Sequence, residues 1–306
     1  MMDAITKTLL EQTAGLHEIP QGAYNIRQNG KLLSRNCNEQ IQIISKQDKD
    51  GIDIIIAPNT KNQSVHIPVI ITQGGLNDLV YNDFYIGENC DVLIVAGCGI
   101  HNDTNQNSRH DGIHTFHIGK NAKVKYVEKH LGIGKNTGEK NLNPTTHIEM
   151  ETNSCFTMET IQLGGVNYAD RKTTASLQAN ATLVINEKIL TTNQQKATTD
   201  FTVELLGDNA KVEVTSRSVA KDNSYQAFNS NIIGKAQCFG HVECDGILAD
   251  HAVINSTPQI SAQNVNATLV HEAAIGKISA DQLIKLMTLG LTQAEAEQQI
   301  INGFLS

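Results

Sequence analysis

A four-residue motif returns along the chain at a spacing of roughly thirty residues, and it constrains the fold more than any other feature. Its copies are Asn89-Cys90-Asp91-Val92, Asn121-Ala122-Lys123-Val124, Asn153-Ser154-Cys155-Phe156, Asn180-Ala181-Thr182-Leu183, Asn209-Ala210-Lys211-Val212 and Asn266-Ala267-Thr268-Leu269. Lys235-Ala236-Gln237-Cys238 reads as a degenerate copy in the one wide gap. The order is Asn, small, polar, apolar, followed by alternating apolar residues such as Leu93-Ile94-Val95. Asn tolerates the left-handed backbone of a tight corner, and a small residue fits the crowded position after it. The alternation that follows predicts a short strand. Strands joined by turns at a fixed period, with no blade-type aromatic signature, predict a right-handed parallel β-helix whose coils stack on an aliphatic interior.

Composition agrees. Aromatic residues are 4% and charged residues 18% of 306, with no tryptophan, the profile of a turn-rich β protein. A net charge of -8 offers no broad basic face for nucleic acid. The start, MMDAITKTLL, carries an early acid and no apolar core, so no secretory signal is expected there. The longest apolar runs, such as Val92–Ala96, are too short to span a bilayer. A cytoplasmic protein with neither nucleic-acid nor membrane partner is expected, its six cysteines reduced, since none forms a close CxxC pair. There is no phosphate-binding loop and no nucleophile elbow, so the chain is not expected to be an enzyme, and any ATP use belongs to a partner.

The ends differ from the middle. Residues 4–13 predict a short helix with Ile5, Leu9 and Leu10 on one face, and 22–60 predict short lead-in strands. Near the other end, Ser279-Ala280-Asp281-Gln282 and Thr292-Gln293-Ala294-Glu295 read as capping boxes, with Gly290 and Gly303 as stops. Leu283, Leu286 and Met287 give the first of these helices an apolar face; Ile300, Ile301 and Phe304 give one to the second. The expected organisation is 1–60 as helix and lead-in strands, 61–272 as the β-helix core, and 273–306 as a helical domain. A helical cap on the open coil is the structural default for that last piece.

Two groups of residues carry candidate chemistry. The segment Cys98–His117 holds Cys98, His101, Asp103, His110, Asp111, His114 and His117 among glycines and asparagines. Its composition predicts a loop, and its Cys-x2-His and His-x3-His-x2-His spacings would suit a metal if it folded compactly. The second group is Cys244 with His271 and Glu272. Alternation puts His241, Glu243 and Asp245 on one side of a strand, with Val242 and Cys244 on the other. A cysteine beside Val242 is by default a core residue. His271 and Glu272 would point to opposite sides of a strand. By default they are an ordinary polar pair leading into the helices. Ser216-Arg217-Ser218 with Asn223-Ser224-Tyr225 reads as a turn between coils.

Residues 241–304 resemble the C-terminal part of the SufB/SufD family, the scaffold proteins of iron–sulfur cluster assembly. The matching elements are Glu243-Cys244-Asp245 onto Gly246-Ile247-Leu248, Pro258-Gln259-Ile260, His271-Glu272-Ala273 and the Gly290-Leu291 break. The resemblance implies a β-helix core. It implies a cluster-receiving role for Cys244, with His271 and Glu272 as further ligands. Val270 stands where the SufB pattern has a first Glu, which puts a three-residue carry-over in doubt. The resemblance also implies docking of a SufC-like ABC-type ATPase through Leu283, Leu286, Met287, Ile300 and Phe304. A flavin is a further cofactor proposed for larger family complexes. The chain combines SufB-like residues with a SufD-like Asp250-His251-Ala252, so a homodimer, or pairing with a SufB/SufD paralogue, is expected. The competing expectations are a mononuclear metal-binding protein using Cys98–His117, or a β-helix enzyme acting on carbohydrate, for which aromatic stacking residues are scarce.

Overall fold

The computed structural model describes residues 3–18, 20–135 and 137–306. The chain winds into a β-solenoid of about eight turns, with a short helix at the start and two at the end. Each turn contributes one strand to each of two sheets. The first sheet runs Lys31–Asn36, Ala23–Gln28, Lys61–His66, Asp91–His101, Lys123–Ile133, Cys155–Leu163, Thr182–Thr191, Lys211–Ala220, Phe239–Leu248, Thr268–Lys277. The second runs from Ile41–Ser45 and Gly51–Ile56 through Asn77–Ile86, Ser108–Ile118, Lys140–Leu142, Tyr168–Leu177, Lys196–Leu205 and Tyr225–Gly234 to Val253–Ala262. Pairing is parallel throughout, apart from two antiparallel hairpins among the lead-in strands. Those hairpins close the N-terminal end. The C-terminal end finishes in two bare ten-residue strands, Val253–Ala262 and Thr268–Lys277.

The Asn motif does what its chemistry suggests. Asn59, Asn89, Asn121, Asn153, Asn180 and Asn209 all hold φ between 57° and 65°. Their amides form a ladder along the axis, Asn121 Nδ2 donating to Asn89 Oδ1 at 3.0 Å and Asn180 Nδ2 to Asn153 Oδ1 at 3.0 Å. The small residues that follow, among them Cys90, Ala122, Ala181 and Ala210, are fully buried. Two copies differ. Gln237, not Lys235, falls opposite Asn209, because Lys211 pairs with Phe239. Asn266, on the last coil, is not among the left-handed residues. A second corner repeats the device with Asn193, Asp222 and Asp250 at φ 56°, 59° and 58°.

Helix α1 (Ala4–Ala14) lies on the outer face of the first sheet, burying Thr6, Leu9, Leu10 and Thr13, while Ile5 turns to solvent. It fits because Gly97 and Gly99 have no side chains: a Cβ on Gly97 would stand 2.5 Å from the Thr13 carbonyl oxygen. Helices α2 (Ala280–Thr288) and α3 (Gln293–Phe304) do not cap the open coil. Ile301 and Leu305 instead cover the outward row Leu190–Val219–Ile247 on the flank of the first sheet, and Lys221 Nζ lies 2.6 Å from Glu297 Oε1. That apolar row is the physical reason the helices go sideways. The Thr292–Glu295 capping box forms. Ser279 makes no side-chain cap, and Gly303 lies inside α3 rather than stopping it. Ser216-Arg217-Ser218 is strand, the turn being at Asp222-Asn223.

Candidate functional site

Cys98–His117 is not a loop. Only residues 102–107 turn; the rest belongs to strands Asp91–His101 and Ser108–Ile118. Alternation then divides the candidates. Cys98, His110 and His114 point into the solenoid and are buried. His101 and His117 lie on the opposite side of their strands, with His101 Nε2 3.1 Å from Asp103 Oδ2 and His117 Nδ1 2.7 Å from Glu149 Oε2. One site cannot contain all five residues. Among the described residues, no group of three or more His, Cys, Asp or Glu side chains is arranged to hold a metal ion.

What the inward residues do instead is join a buried charge network. Asp78 Oδ2 accepts from His110 Nδ1 at 2.9 Å, and Arg27 Nη2 donates to the other oxygen at 3.1 Å. His130 stands opposite Cys98 in the neighbouring strand. His130 Nε2 is 3.5 Å from Glu128 Oε1, and Tyr126 Oη donates to the same oxygen at 3.2 Å. Arg171 Nη1 donates to Glu128 Oε2, and its Nε lies 3.7 Å from Glu187. Glu187 also accepts from Thr199 and Ser216, both at 2.9 Å. Ser216 pairs in register with Cys244. A file of polar side chains therefore runs along the interior from Cys98 to Cys244.

Each buried charge reflects its neighbours. Burial would raise Glu128, but Arg171 and His130 outweigh it and hold this carboxylate well below its ordinary range. Burial raises Glu187, and Arg171 only partly offsets that. Cys98 would also be raised by burial, yet His110 and then His130 bring it down to about 7. His110, opposed by burial but facing Cys98 and Asp78, is pushed up to about 10. His114 has burial against it and is held down at about 4. Its Nδ1 is buried without a hydrogen-bond partner.

The second group sits near the C-terminal end: Cys244 lies on Phe239–Leu248, which only the final strand Thr268–Lys277 follows in the first sheet. Val242 and Cys244 point inward, as alternation predicts, and Cys244 is 1% exposed. Burial pushes its thiol up to about 11, with Ser256 on the facing sheet opposing and Glu187 and Asp245 adding to the rise. His271 pairs with Val242 and shares the inward side, one step along from Cys244. Neither of its ring nitrogens has a hydrogen-bond partner. Glu272 pairs with Glu243 on the outward side, 3.6 Å from His241 Nε2. The structure thus brings Cys244 and His271 together and puts Glu272 on the other face.

The α2 face behaves differently from α3. No α2 residue is buried; Leu283 and Leu286 are half-covered, while Ile284 and Met287 are 57% and 42% exposed. In α3, Ile300 and Phe304 are half-covered.

Glu128, His130, Arg171 and Glu187 were not singled out from sequence. The available signal was alternation: in Val124-Lys125-Tyr126-Val127-Glu128-Lys129-His130 the inward set is Val124, Tyr126, Glu128 and His130.

Comparison with known proteins matches this chain to a family. Residues 81–304 match the model described as the SUF system iron–sulfur cluster assembly SufBD core domain. A SufBD family protein from Archaeoglobus fulgidus is 30% identical over 280 residues, 90% of this chain and 73% of the relative. One from Methanocaldococcus jannaschii is 26% identical over 292 residues, 93% of this chain and 90% of the relative. One from Methanothermobacter thermautotrophicus strain Winter is 29% identical over 74% of this chain and 55% of the relative. The chain belongs to the SufBD family, whose role is iron–sulfur cluster assembly. Among the described residues, no helix is long and apolar enough to cross a membrane.

Proposed function

We propose that this chain is a cytoplasmic scaffold, rather than a catalyst, on which an iron–sulfur cluster is built as cargo. The observation that carries the reading is the pair Cys244 and His271 on one inward face at the uncovered end of the solenoid. Thiolate and neutral imidazole are both iron ligands. An imidazole with two unpartnered nitrogens offers a lone pair at little cost. Cys244, raised to about 11, waits as a thiol, so iron must displace its proton.

Of the three ligands expected there, Cys244 and His271 face inward and Glu272 faces out. The remaining ligands come from a second copy meeting the first end to end. The bare strands Val253–Ala262 and Thr268–Lys277 have free edges for that contact, with Ile260 and Val265 51% and 99% exposed. A paralogue would fit the same edge. Helix α2, with its unpartnered Ile284 and Met287, together with Leu283, Leu286, Ile300 and Phe304, is the docking element for a SufC-like ABC-type ATPase. Nucleotide-driven closure of two such subunits would move these helices and strain the shared end. Six free cysteines are consistent with a reducing compartment.

The test is anaerobic reconstitution with iron and sulfide, counting iron and acid-labile sulfide in wild type, Cys244→Ala and His271→Ala. The expected result is stoichiometric sulfide in wild type, lost in Cys244→Ala and reduced in His271→Ala. Sulfide retained in Cys244→Ala would remove the centre of the proposal. Light scattering of the wild-type protein gives the second readout: a monomer that stays monomeric on reconstitution rules out the shared site.

A further inference from the structure

On the outer face of the second sheet, far from Cys244 in the chain, five strands present one row of side chains: Ile55, Tyr85, His117, Glu149 and Ser176. The row forms one wall of a groove of about 590 Å³, whose other wall is the turn backbone at Gly87 and Gly119 with Glu151 and Gln178. That volume is in the range of small-molecule sites. Two features separate it from an ordinary sheet surface.

The first is a standing aromatic pair. The Tyr85 and His117 rings stack at 4.9 Å between centroids and 10° between planes. Tyr85 is nonetheless 43% exposed, and its neighbour Ile55 is 41% exposed. A large ring is held beside an aliphatic side chain, with apolar surface still facing water. The second is a fixed polar partner. Glu149 Oε2 accepts from His117 Nδ1 at 2.7 Å, which orients the imidazole and leaves Nε2 as an acceptor. Further acceptors are the Glu151 carboxylate and the Gln178 amide oxygen, and among the described residues no lysine or arginine lines the groove.

We propose that the Tyr85–His117–Glu149 groove binds a planar heteroaromatic molecule that carries ring or exocyclic N–H donors and no phosphate. The stacked pair supplies the flat apolar contact. The acceptors on the rim select N–H groups, and the carboxylates repel an anion. This inference does not depend on the cluster reading, since none of its residues lies near Cys244 in sequence or register.

The experiment is isothermal titration and ligand-observed saturation-transfer NMR on the full chain, with adenosine, cytidine and nicotinamide as probes. AMP is the phosphate-bearing counterpart. At least one probe should bind with a sub-millimolar Kd, and AMP should bind about tenfold more weakly than adenosine. Tyr85→Ala should weaken binding about tenfold and Tyr85→Phe less than about twofold, because the ring face and not the hydroxyl makes the contact. Glu149→Lys should reverse the order of adenosine and AMP. Cys244→Ala should bind as wild type. Circular dichroism and Tm confirm that each variant is folded, which the exposure of Tyr85 favours. No binding of any probe at millimolar concentration overturns the proposal. So does equal binding to wild type and folded Tyr85→Ala, or AMP binding as well as adenosine.

Discussion

Cys98 and Cys244 are both buried, 5% and 1% exposed, yet their thiols are pushed in opposite directions, to about 7 and about 11. The difference lies in their neighbours. Cys98 stands among His110, His130, Glu128 and Arg171 in a closed region where most charges have a partner of opposite sign. Cys244 pairs with Ala273 and faces Ser256, with Glu187 and Asp245 adding to the rise, one coil from the end of the solenoid. Equal burial therefore means opposite things. In the middle coils the buried charges pair with one another, Glu128 with Arg171 and Asp78 with His110; at the last coil both ring nitrogens of His271 lack a partner.

The largest test of this contrast is Arg171→Leu. It strands Glu128 and Glu187 without their shared cation, and about 3–5 kcal/mol of stability should be lost in urea unfolding. A loss below about 1 kcal/mol would mean the middle coils are no more committed than the open end. Next is acid sensitivity. His114 is held at about 4 against an ordinary 6.5, so the unfolded chain takes up this proton first. Its contribution is complete above pH 6.5 and is lost as pH falls toward 4, by up to about 3 kcal/mol. His114→Leu should flatten the wild-type Tm profile across that window; an unchanged slope would show that other groups carry it.

Thiolate absorbance separates the two cysteines directly. A step near pH 7 should vanish in Cys98→Ser, and one near pH 11 should vanish in Cys244→Ala. Reversed assignments would invert the comparison. The smallest effect is His271→Ala, expected to change stability by no more than about 0.5 kcal/mol because its ring makes no hydrogen bond to lose. A loss of several kcal/mol would place His271 with the structural network instead.

Much of the fold was legible because it rests on local chemistry. The Asn corners, the small buried residue after each, and the inward side of Val242 and Cys244 follow from backbone preference and strand alternation. The candidate site was legible only in part. His101, His110, His114 and His117 look like one cluster along the chain, but alternation sends them to both faces. The reading of 98–117 as a loop overweighted its glycines, which are there to admit helix α1 and the His114 ring. Glu128, Arg171 and Glu187 lie far apart in the sequence and meet only when coils of unequal length stack.

By itself, the sequence determined the repeat, the parallel coil and which side of each strand a residue takes, since these depend on neighbours one to four positions away. Only the tertiary structure decided which side chains share a space. Successive coils differ in length, Cys98 meeting His130 but Ser216 meeting Cys244, so a fixed period does not predict the partner. It also decided that the C-terminal helices lie along the flank. An apolar row at Leu190, Val219 and Ile247 gives them a surface to bury against, and that leaves the end free.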